Sequence, residues 1–156
     1  MQYHSSSIAR QHRVPLMEKV EIEQLGASLR PIDRKLLNSR SEQGRIRIWY
    51  QGGEPYLDLF IELQNDRIQW FQFTLRGRSL SWQKRRNGLE TKDSWQTGVT
   101  NELQFNDLNF YAASKTIQSD RQTDAAFLEL ARAIFQTRAG EKLFDRLLAI
   151  FENIEN

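Results

Sequence analysis

The sequence predicts an α+β domain with a central antiparallel sheet, a meander of about five to seven strands. An N-terminal helical segment precedes the sheet, and two C-terminal helices pack on one of its faces. Three observations predict this. Apolar residues before Arg45 recur at helical steps of three and four; from Arg45 to Tyr111 the period falls to two; beyond Ser119 it returns to helical spacing. A chain of 156 residues is the size of one domain. Residues 1–16 are set apart as a flexible tail, leaving 17–156 as the domain, with Met17 as an alternative start.

In the first helical segment Ile22, Leu25, Leu29, Ile32 and Leu36 form one stripe. Pro31 does not fit a helix interior, so it is expected to break the segment and open a short second helix through Leu37. The stretch KVEIE can also be read as a strand, because Val20 and Ile22 alternate with charges. Residues 38–44 then form a loop.

Strand spacing is clearest in RIRIWYQ (45–51), YLDLFIELQ (56–64) and RIQWFQFTLRG (67–77). Ile46, Ile48 and Tyr50 share one face of the first, and Leu57, Leu59, Ile61 and Leu63 one face of the second. In the third, Phe71, Phe73 and Leu75 are assigned to the core, and Ile68, Trp70, Gln72 and Thr74 to a partly covered second face. Gly52, Gly53 and Pro55 mark one turn and Asn65-Asp66 the next. The tripeptide SWQ occurs at 81–83 and again at 94–96, placing Trp82 and Trp95 on two strands of a hairpin with a charged tip. Residues 102–111 repeat a strand, Asn-Asp, strand pattern.

At the C-terminal end Ser119 and Gln122 have capping-box spacing. One stripe runs through Phe127, Leu128, Ala131, Ile134 and Phe135, and a second through Leu143, Phe144, Leu147, Leu148, Phe151 and Ile154. Gly140 lies between them and would cost about 1 kcal/mol relative to Ala inside a helix, so two helices are expected. The apolar residues Phe151 and Ile154 so near the end make these helices a candidate homodimer surface.

Several chemistries lose their residues at once. The chain has no cysteine, and its two histidines, His4 and His12, both lie in the tail. No Gly-rich phosphate motif, EF-hand loop or HExxH helix occurs, and no apolar run is long enough to span a membrane. Asp58 and Glu62 are placed about 13 Å apart on one strand, too far for a catalytic carboxylate pair, and are read as solvent-facing. Ser79, Ser81, Ser94 and Thr97 have no fixed histidine to activate them. The expectation is a cytoplasmic, non-catalytic protein without metal or cofactor.

The net charge of +2 is unevenly distributed: residues 45–92 hold nine Lys or Arg against five Asp or Glu, and residues 93–156 hold six against ten. The basic stretch coincides with the tryptophans. Trp70, Trp82 and Trp95 with Arg76, Arg78, Lys84, Arg85 and Arg86 are therefore the candidate binding residues. Trp and Arg are the types most enriched in protein-binding hot spots, which predicts a protein-interaction or assembly module. The alternative from a different class is single-stranded nucleic acid, chiefly RNA: the arginines would meet phosphates and the tryptophans would stack on bases.

Overall fold

Strands joined by short turns pair with their neighbours in sequence. In the computed structural model, which describes residues 17–32, 44–100 and 117–155, the described strands form one sheet in the order β1 to β7, every neighbouring pair antiparallel. Helix α1 (Lys19–Ser28) precedes β1 (Arg30–Pro31). The meander continues through β2 (Arg45–Gln51), β3 (Asp58–Gln64), β4 (Arg67–Leu75), β5 (Arg78–Asn87), β6 (Glu90–Thr100) and β7 (Ile117–Ser119). Helices α2 (Ala125–Gln136) and α3 (Lys142–Glu152) follow. The expected α+β class and antiparallel meander are both present.

The turns have the chemistry of tight hairpins. Asn65 and Asp66 have φ of 51° and 70°, the paired positive values that a two-residue type I′ loop requires. Arg76 and Gly77 repeat this at 49° and 83°. Leu89, next to Gly88 at the β5–β6 turn, is fully exposed.

Alternation separates the two faces of the sheet. On the helix side, Ile48, Ile61, Phe71, Trp82 and Trp95 line up across β2 to β6, and Tyr50, Leu59, Phe73, Leu80 and Thr97 form the adjacent row. Helix residues Phe127, Ala131, Ile134, Phe135, Phe144, Leu147 and Phe151 close over these rows and are all buried. Phe135 sits at the centre, its ring 5.2 Å from Phe73 and 6.1 Å from Phe71. Burying one such side chain contributes about 1.5–3 kcal/mol, so this layer carries much of the fold's stability. Phe151 is buried within the chain, against Trp95 at 5.0 Å, while Ile154 is 41% exposed.

The readings of Pro31 and Ile68 are corrected. Pro31 does not open a helix: α1 stops at Ser28, and Arg30–Pro31 pair with Gln51 and Tyr50 at the sheet edge, where proline's missing N–H is tolerated. The part of the expected second helix beyond Ile32 lies outside the described residues, as do the strands expected at 102–111. KVEIE lies in α1, so of its two readings the helical one holds. Ile68 is buried on the core side opposite Leu63, because the register shifts between Glu62 and Leu63 and turns Ile68 inward relative to simple alternation.

Ser119 and Gln122 do not cap α2. Ser119 is in β7, and the cap is Asp124, whose carboxylate accepts from the Phe127 amide at 3.1 Å. Two C-terminal helices are present as expected, with Gly140 between them at φ 101°.

Candidate functional site

The eight candidate residues do not share a face. Trp82 is a core residue, 4% exposed, with its ring 6.2 Å from Phe71 in a stacked arrangement. Trp95 lies directly opposite and is partly buried against the same cluster. Neither ring is presented as a free stacking surface. Trp70 is partly buried and points to the other face, between Glu62 and Gln83 in the sheet. Lys84 and Arg85 are both exposed, but as consecutive strand residues they project to opposite sides. Arg86 is opposite Thr91 in the hairpin.

Arg76 and Arg78 are taken up by carboxylates of this chain. Arg76 donates to Glu54 at 2.9 and 3.0 Å and to Glu21 at 2.9 Å, so its guanidinium joins the β4–β5 turn to α1 and to the β2–β3 loop. The hydrogen bonds to Glu54 and Glu21 favour the charged form and raise its pKa further. Arg78 donates to Asp120 at 2.9 Å and to Asp124. Thr97 completes this group, donating its hydroxyl to Asp120 at 2.7 Å and accepting from the Asp124 amide at 2.8 Å. Burial of Asp120 raises its pKa, but the Thr97 and Arg78 hydrogen bonds and the Arg78 charge outweigh this and hold it below the ordinary carboxylate range. The result is a built entrance to α2, in which one guanidinium is held by two carboxylates.

Turning the sheet over reveals residues that the candidate set omitted. Away from the helices, one row runs Arg47, Glu62, Trp70, Gln83 and Ser94, and the next Trp49, Phe60, Gln72, Ser81 and Gln96. No described helix covers these rows. Trp49 and Phe60 stack with ring centres 5.5 Å apart and planes at 11°, and the Trp49 indole donates to Asp58 at 3.0 Å. Asp58 is buried at 3% exposure, which corrects its reading as solvent-facing, while Glu62 is paired with Arg47 at 3.2 Å. Arg85 and Lys92 project to the same face and are directly opposite each other across the hairpin. The signal for this face was the same alternation that located the core, followed in its other phase.

Among the described residues no group of three or more His, Cys, Asp or Glu is placed to hold a metal ion. No described helix is long and apolar enough to cross a membrane. The sheet face away from the described helices carries aromatic rings, amides, hydroxyls and cations. Comparison with protein families, curated proteins and solved structures gives no significant match for this chain.

Proposed function

We propose that this chain is a non-catalytic interaction or assembly module that docks a protein partner on the sheet face away from its described helices. One observation carries the reading: the face no described helix covers presents the Trp49–Phe60 stack beside Trp70. Amphipathic aromatic side chains bordered by hydrogen-bonding groups form the centre of many protein interfaces. Gln72, Ser81, Gln83, Ser94 and Gln96 supply those groups here, and Arg47, Arg85 and Lys92 give one end a positive charge suited to an acidic segment. Of the candidate residues, Trp70 and Arg85 belong to this surface; Arg76 and Arg78 support the fold around it.

A photo-crosslinker at exposed Gln83 tests the reading against the same label at exposed Glu129 on α2. A discrete protein product from Gln83, absent from Glu129 and lost on Trp70→Ala with the fold intact, is the expected result. Identical products from both positions would refute it.

Single-stranded nucleic acid is the second reading, favoured by the Arg85–Lys92 pair. Like charges directly opposite in a sheet are destabilising, and a bound polyanion relieves the repulsion. This reading predicts retention on immobilised RNA at low salt that is lost in Arg85→Glu; passage of the protein straight through the column eliminates it.

A further inference from the structure

On the helix side, the β3–β4 turn, β5, β6 and α3 border a cleft of about 550 Å³. That is within the range of about 300–1,000 Å³ typical of small-molecule sites. Ile68, Trp82 and Ile150 provide its apolar lining, and Lys84 and Arg146 bring positive charge. Arg146 is held in place by Asp66, with hydrogen bonds of 3.1 Å to each carboxylate oxygen.

Two features of the lining favour an anionic occupant. Lys84 forms no ion pair with another described residue, although Asp93 is opposite it in register. The lining as a whole holds three cations, Arg67, Lys84 and Arg146, against two carboxylates, Asp66 and Asp93. Trp82 and Lys84 are two residues apart on one side of β5, about 6.6 Å along the strand, so a ligand resting on the Trp82 side chain can present its carboxylate to Lys84.

We propose that this cleft binds a small amphipathic carboxylate, its apolar body against Ile68, Trp82 and Ile150 and its carboxylate accepting from the Lys84 ammonium. The site is on the face opposite Trp70, so its fate is independent of the docking reading above.

The test titrates 2-naphthoate into the full chain and follows the tryptophan indole N–H signals by NMR, with 2-naphthylmethanol as the neutral control. The Trp82 signal is expected to shift saturably with naphthoate, and Lys84→Gln to weaken binding about tenfold, the equivalent of one charged hydrogen bond. Ala149→Trp, which fills the cleft from α3, is expected to abolish the shift. A Trp82 signal that does not move, an equal response to the neutral alcohol, or unchanged affinity in Lys84→Gln would each overturn the proposal.

Discussion

Arg138 and Gly26 are 112 positions apart in the chain and joined by a 2.9 Å hydrogen bond, the Arg138 guanidinium donating to the Gly26 carbonyl. The same nitrogen donates to the Leu29 carbonyl at 2.7 Å, so one arginine from the α2–α3 corner satisfies two carbonyls at the end of α1. Its other nitrogens pair with Glu141, and its plane lies 4.8 Å from the Phe144 ring centre. Lysine cannot reproduce this fork, because it offers one point charge in place of a planar set of donors.

Arg138→Gln should therefore destabilise the chain by about 1–3 kcal/mol, the cost of leaving part-buried carbonyls without donors. Arg138→Lys should recover only part of this. Glu141→Gln should cost far less, because Glu141 is half exposed at 50% and its loss leaves the Arg138–carbonyl bonds in place. Urea unfolding midpoints of the three variants order these effects; a Glu141→Gln loss equal to that of Arg138→Gln would place the stabilisation in the ion pair instead.

The start of α2 offers a second ordering. Asp124 caps the helix and also receives Arg78, so Asp124→Ala should cost at least the usual 1 kcal/mol or so of a lost cap, and more through the orphaned arginine. Ser119→Ala, in exposed β7, should change stability by less than about 0.5 kcal/mol. Equilibrium unfolding of the two single variants checks this, and a larger loss at Ser119 would contradict the assignment of the cap.

These two helix ends mark the boundary of what was legible. The strands of the meander, the Asn65-Asp66 turn and the Gly140 break follow from local periodicity and backbone preference, which act within a few residues. The cap could not be read locally, because Asp124 is fixed by Thr97 and Arg78, which are distant in sequence. Ile68 escaped for a related reason: a register shift between strands leaves no trace in the alternation of one strand. The binding residues were chosen by type, which cannot distinguish Arg78, enclosed by two carboxylates, from Arg85, exposed beside Lys92. Trp49 and Phe60 were visible in the pattern as residues off the core phase, yet only strand pairing brings them together with Trp70 in adjacent rows.

Acid should destabilise this fold through identifiable groups. Hydrogen bonding by Arg146 lowers the Asp66 pKa, and hydrogen bonding by Arg138 lowers that of Glu141; Asp120 is lowered by Thr97 and Arg78 against the opposing effect of its burial. A carboxylate with a depressed folded pKa binds fewer protons folded than unfolded, so its contribution is present above the unfolded pKa, near 4, and is lost as pH falls through the folded value. The melting temperature should thus be level near neutrality and drop below about pH 4. Asp120→Asn should lower it at neutral pH and flatten the acid decline; an unchanged slope would remove Asp120 from the account.

Gly26 shows why a residue with poor helix propensity sits inside α1. A Cβ there would lie 1.8 Å from the Thr137 hydroxyl and 3.0 Å from the Ile134 carbonyl oxygen, in the contact between α1 and the end of α2. Thr137 cannot simply rotate away without loss, because that hydroxyl donates to the same carbonyl at 2.7 Å. In an exposed helix Gly→Ala would stabilise by about 1 kcal/mol; here Gly26→Ala should destabilise by about 1–3 kcal/mol through overpacking. Removing the hydroxyl in Gly26→Ala/Thr137→Ala relieves the closest clash, leaving the 3.0 Å approach to the backbone, so the double variant should be more stable than Gly26→Ala alone. A double-mutant cycle measured by urea unfolding should therefore show favourable coupling. Additive effects would mean that α1 adjusts its position rather than pressing on Thr137.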